Sequence, residues 1–147
     1  MVCGLLQNYP LAYPCHYSNR YNNLKINEME NLLIKELQKQ ENANINTEYR
    51  NLKAIKAGGY MLSVQGSNGH YCSPRLTLPV DIYAEMELAI INKRGAMISI
   101  NKSKLFGKFK RYDELLSRID GPNTGYAVYG YVSVELLNEL YCFLNKT

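Results

Sequence analysis

The chain has no tryptophan, only two histidines and only three phenylalanines among 147 residues. It also lacks a CxxC pair, an HExxH segment and a glycine-rich phosphate loop, so the usual metal and nucleotide signatures have nothing to stand on. No apolar run approaches the roughly 18 residues of a membrane span, and the first ten residues lack the basic-then-apolar order of a secretory signal. A soluble, intracellular protein is expected. The four cysteines, Cys3, Cys15, Cys72 and Cys142, are too scattered for the framework of a small disulfide scaffold, which predicts free thiols. Cys3 follows Val2, so loss of Met1 still leaves it second and not at the amino terminus that an N-terminal nucleophile needs.

What is present fits one folded unit. A chain of this length buries roughly two-thirds of its unfolded surface, and 46% apolar with 20% charged residues is a globular balance that needs no staple. Thirteen tyrosines skew the aromatic set towards surfaces half buried and half wet. Tyr9, Tyr13, Tyr17 and Tyr21 recur every fourth residue, a helical interval that Pro10 and Pro14 forbid by pushing the preceding residues into extended geometry. Residues 1–24 are therefore expected to form an irregular Tyr/Pro-rich arm, and 25–147 a single α+β domain.

Within that domain the spacing predicts a helix from an Asn27 cap through Met29, Leu32, Leu33 and Leu37, and a second one over TEYRNLKAIKA, ended by Gly58. GYMLSVQ reads as a strand. IYAEMELAII alternates, with Ala84, Met86, Leu88 and Ile90 inward and Tyr83, Glu85 and Glu87 outward. NKRG then returns the chain as AMISI, the antiparallel partner. A short helix in YDELLSRI, a turn at DGPNTG, a strand in YAVYGYV and a last helix capped by Ser133 complete the order. The hairpin favours an antiparallel sheet of about four strands with helices packed mainly on one face.

The net charge of +4 conceals an asymmetry. Between Asn92 and Tyr112 stand Lys93, Arg94, Lys102, Lys104, Lys108, Lys110 and Arg111 without one acid, so this stretch carries +7 and the remainder −3. Phe106, Phe109 and Tyr112 are interleaved with the cations, as in surfaces where bases stack while ammonium groups meet phosphates. An acidic protein patch satisfies the same charges, and a solvated linker anchored by its aromatics is the structural alternative.

The segment GSNGHYCSPR, residues 66–75, gathers His70, Tyr71, Cys72 and Arg75. Histidine and cysteine are candidate base and nucleophile, and Glu85 or Glu87 on the next strand is a candidate to orient an imidazole. The surrounding Gly, Ser, Asn and Pro build a surface connection equally well, on which Arg75 and His70 serve as contact residues. Cys15 and His16 with His70 and Cys72 have zinc-ligand chemistry but not the usual ligand separations. No metal or cofactor is assigned. Tyr126, Tyr129 and Tyr131 fit sheet propensity first.

GGYMLSVQGSNGHYCSPR, YAEMELAIINKRG and GYVSVELLNELYCFL together resemble small phage- and prophage-encoded proteins, a class that commonly includes counter-defence factors such as the anti-CRISPR proteins. The resemblance covers roughly the C-terminal two-thirds and rests on overall layout. It implies a non-enzymatic inhibitor in the cytoplasm of a bacterial host that binds a host nucleoprotein immune complex, with the basic segment and tyrosine arm as contacts. It carries over no catalytic residue. The concentrated positive charge departs from acidic DNA mimics and points to RNA, bound DNA or an acidic protein patch. A stand-alone RNA- or single-stranded-DNA-binding domain, and a small nuclease or transferase centred on His70, are the alternatives.

Overall fold

A computed structural model describes residues 32–40, 49–120 and 127–147. The arm of residues 1–24, the Asn27 cap and most of the DGPNTG turn lie outside the described residues.

The first described element is helix α1, residues 32–38, with Leu33 and Leu37 fully buried and Leu32 half exposed. Its Leu33 N–H donates to the Asn138 side chain at 3.2 Å, tying α1 to the last helix. Strands β1 (Ile55–Ala57), β2 (Tyr60–Gln65), β3 (Glu85–Ile91) and β4 (Met97–Ile98) follow. Helix α2 (Tyr112–Leu116), strands β5 (Ile119–Asp120) and β6 (Val128–Ser133), and helix α3 (Val134–Asn145) complete the order. The sheet runs β1-β2-β3-β6-β5, antiparallel throughout, with β4 paired to the end of β3. The class is α+β, as expected, with six strands among the described residues in place of about four.

The extra strands are instructive. Residues 49–57 do not form the expected helix: Ile55, Lys56 and Ala57 are extended and pair with Leu62, Met61 and Tyr60. The reason is the Gly58-Gly59 connection, a two-residue hairpin loop that needs positive φ; Gly58 has φ 58°. Gly58 does not end a helix; it begins a reversal. β5 is too short to register as alternation.

Register places Leu62, Val64, Met86, Leu88, Ile90, Tyr129 and Val132 on one face, all fully buried. Helix α3 packs on β1 and β6 and presents Leu136, Leu137, Leu140 and Leu144 to this core. Its start is fixed by Ser133, whose hydroxyl accepts the Leu136 N–H at 3.2 Å. Tyr129 donates no ring to solvent; its hydroxyl accepts the Ile100 N–H at 2.9 Å, anchoring the segment after β4.

The alternation expected around β3 fails at its start. Tyr83 is buried and Ala84 exposed, the reverse of the expectation, because a 3-10 turn over Val80–Ile82 precedes the strand and resets the phase. Tyr83 packs its ring on Gly66, accepts the Leu78 N–H at 2.9 Å and donates to the Leu76 carbonyl at 2.6 Å.

Two substitutions test this packing by chemical denaturation. Ser133→Ala should lower stability by about 1 kcal/mol, with Ser133→Asp restoring it. Gly58→Ala should cost more than that, since its Cβ lands on the Leu144 carbonyl and its φ is unfavourable for any other residue; an unchanged midpoint contradicts the contact.

Candidate binding surfaces

The basic segment separates by side chain. Lys93, Arg94, Lys102, Lys104, Lys108 and Lys110 are exposed, and among the described residues none of these six forms an ion pair. Arg111 is different. Its Nε donates to Glu114 at 2.7 Å and its Nη1 to Glu139 at 2.9 Å, and its pKa is raised by those two carboxylates, with Glu114 first. Glu135 stands 3.6 Å away. Arg111 therefore joins α2 to α3 and is neutralised, a correction to its place among the contact residues.

The interleaved aromatics are corrected in the same sense. Phe106 is fully buried with its ring 5.2 Å from that of Tyr60, and Phe109 is buried 5.3 Å from Phe143. Tyr112 is half-buried and its hydroxyl donates to the Ile100 carbonyl at 3.4 Å. These rings anchor the segment to the core and offer bases no open face. What the stretch exposes is its ammonium and guanidinium groups.

Some of these cations share one place. A groove of about 460 Å³ is lined by Gly59, Tyr60, Asn92, Lys93, Arg94 and Leu105. The β3–β4 turn, closed by the Asn92 side chain accepting the Arg94 and Ala96 N–H groups at 2.9 and 3.1 Å, thus brings Lys93 and Arg94 beside the segment that carries Lys104. His70 and Arg75 are elsewhere. Ser73 bridges Glu85 at the opposite end of β3 from Lys93, on the order of 20 Å away at strand rise. The expected contact residues that are exposed therefore fall on at least two surfaces.

The 66–75 loop is held from inside. Arg50 donates to the Gly66 carbonyl at 2.8 Å. His70 is buried, its ring 4.9 Å from that of Tyr49 and its Nδ1 2.7 Å from the Ser67 hydroxyl. The expectation of an outward contact residue fails at His70 because this hydrogen bond and the Tyr49 ring turn the imidazole inward. Cys72 is buried too, its thiol donating to the Ser67 carbonyl at 3.2 Å, and burial pushes its pKa up, away from thiolate character. Glu87 does not orient the imidazole; its carboxylate accepts the Tyr71 N–H at 2.9 Å. Cys15 and His16 lie outside the described residues, and among the described ones no three His, Cys, Asp or Glu side chains gather as a metal site. Cys72 and Cys142 are free thiols.

Arg75 is exposed as expected, its guanidinium 5.5 Å above the Tyr71 ring. Tyr71 and Tyr131 were not among the expected contact residues, yet both rings are exposed and lie 6.1 Å apart. Only the crowding of glycine and tyrosine in YAVYGYV could have signalled them, through the bulge that glycine permits.

No protein-family model matches the chain, and no curated protein or solved structure does so either. Among the described residues no helix is long and apolar enough to cross a membrane.

The buried histidine gives a pH test. Burial lowers the His70 pKa below its ordinary 6.5, Glu87 opposes this and Arg50 reinforces it. The unfolded chain then takes up the proton at a higher pH than the folded one, so the stabilisation is full above about pH 6.5 and declines as pH falls below it. Urea midpoints of wild type should drop between about pH 7 and 5, and His70→Asn should flatten that part of the profile. An identical slope in the two proteins contradicts the assignment.

Proposed function

We propose that this protein acts by binding and not by catalysis, docking an exposed cationic edge on an anionic macromolecular surface of the kind a host nucleoprotein immune complex presents. The observation that carries this reading is the set of six exposed cations, unpaired among the described residues, drawn from one acid-free stretch. Such a field speeds encounter with an oppositely charged partner and selects against cationic ones. Aromatic anchors hold the same stretch on the core, which limits the entropy lost when it docks. The sequence resemblance to small phage-encoded proteins, a class that includes counter-defence factors, motivates the choice of partner. Against a His70-centred enzyme stands the inward, hydrogen-bonded imidazole beside a buried thiol.

The test uses Lys104→Glu, Lys108→Glu and Lys110→Glu together, leaving Arg111 to its carboxylates. The variant should keep the wild-type melting temperature within a few degrees, lose capture of the nucleoprotein partner, and elute from heparin at lower salt. If three phosphate contacts are lost, the slope of log K against log salt should fall by about two for single strands. Undiminished capture by the folded variant rejects this surface.

A further inference from the structure

Two hairpin turns emerge at the same end of the sheet. β2 and β3 run antiparallel with Met61 opposite Ile91, and continuing that register puts Tyr60 opposite Asn92 and Gly59 opposite Lys93. The contact is close: a Cβ on Gly59 would stand 3.4 Å from the Lys93 Cε and 4.0 Å from its Nζ, so the lysine stem lies across the Gly58-Gly59 turn. The groove beside Lys93 and Arg94 adjoins a second one of about 660 Å³, which shares Gly59, Tyr60, Asn92 and Lys93 with it and adds Lys56 and Gly95. Each has the size of a small-molecule site.

The lining is one-sided in charge. No Asp or Glu side chain borders either groove among the described residues. The three segments that meet here, 52–65, 88–112 and 140–147, contain no acidic residue along their whole length. Lys56, Lys93 and Arg94 are exposed and form no ion pair among the described residues. The Asn92 Oδ1 is taken by the Arg94 and Ala96 amides, which leaves its Nδ2 as a donor without a partner among the described residues. Helix α3 ends here, with the Asn145 side chain accepting the Gly58 N–H at 3.0 Å. Its last carbonyls are occupied: that of Leu144 accepts the Thr147 hydroxyl at 2.9 Å, and that of Phe143 the Lys146 N–H at 3.2 Å. Thr147 borders both grooves, and its carboxylate pairs with none of the three cations. The apolar wall comes from Leu105 and Tyr60, both half-buried, the tyrosine ring braced edge-on by Phe106 at 5.2 Å.

We infer that the paired grooves bind a mononucleotide. Arg94 offers the phosphate a planar fork of donors, Lys56 and Lys93 a point charge each, and the Asn92 Nδ2 a neutral donor. The base lies against Tyr60 and Leu105, since an aromatic face accepts any base. A sugar phosphate would leave that wall bare, and a nucleoside would leave the cations without a counter-charge. The inference goes beyond the docking reading, which is tested at Lys104, Lys108 and Lys110; these border neither groove.

Isothermal titration of the full chain at roughly 0.15 M salt compares adenosine 5′-monophosphate with adenosine and with inorganic phosphate. The monophosphate should bind about tenfold more tightly than either, because adenosine lacks the charge and inorganic phosphate lacks the base. Lys93→Ala with Arg94→Ala should lower its affinity about tenfold and keep the melting temperature within a few degrees, since both side chains are exposed. Amide resonances of Gly59 and Tyr60 should move on titration of wild type, a readout that needs no variant. Lys108→Glu with Lys110→Glu should leave the affinity within about threefold, because charges beyond about 8 Å are screened at this salt. No saturation by the monophosphate at about 1 mM, adenosine or phosphate binding as tightly, or unmoved Gly59 and Tyr60 resonances overturns the inference. So does a folded Lys93→Ala, Arg94→Ala protein with undiminished affinity. An equal loss in the two double variants also overturns it and assigns the binding to the diffuse field, whereas failure of the docking reading is read separately, from partner capture.

Discussion

The outer face of the sheet depends on one exchange of hydrogen bonds, in which the Tyr131 amide donates to the Tyr71 carbonyl and the Tyr71 amide donates to the Glu87 carboxylate. A bulge opposite Glu87 frees the Tyr131 amide from the regular ladder, and the 66–75 loop takes it up. Without that partner nothing on the loop side would offset the strain of the positive φ at Tyr131. The same exchange fixes where the loop crosses the sheet, so His70 and Cys72 are directed inward, onto Ser67, while Tyr71 and Arg75 remain outside. A segment whose residue types invite a catalytic reading is thus divided by its own hydrogen bonds into an inert inner side and a contact side.

The basic stretch is divided on a different principle. Phe106, Phe109 and Tyr112 are interleaved with lysines at spacings that let the rings turn in while the ammonium groups stay in water, since a lysine carries its charge on a long stem. Phe106 reaches the sheet through Tyr60, and Phe109 reaches α3 through Phe143. Arg111 makes two carboxylate partners where a solvated lysine would make none, which suits a planar guanidinium at the junction of α2 and α3. The aromatic and cationic properties that look like one binding motif in the sequence therefore end in different environments.

Much of the fold was legible. The helix over 32–38, strands β2, β3, β4 and β6, the Asn92–Ala96 turn, the Ser133 cap and α3 follow from periodicity, turn residues and capping chemistry. The failures have local causes. Gly58 has the place of a helix stop, but two adjacent glycines equally make a hairpin loop, and the pairing of Ile55 with Leu62 is a tertiary choice that local spacing does not encode. Tyr83 lies inward against the expected alternation because the 3-10 turn over Val80–Ile82 interrupts the extended run before β3, and Tyr131 leaves the face of Tyr129 because one bulged residue shifts the alternation after it. The exposed cations were visible as a composition bias. That the rings of Tyr71 and Tyr131 would meet was not, because it needs two segments sixty residues apart in the chain to come together at the bulge.

Amide hydrogen exchange at Tyr71 and Tyr131 tests the central clamp most directly. Both amides should be protected to the degree seen for Leu88 and Ile90 in the middle of β3, and far beyond that of the exposed Arg75 in the same loop. Exchange of the Tyr131 amide as fast as that of Arg75 would mean that the loop is not fastened to the bulge, and would contradict the account of both the inward and the outward side chains.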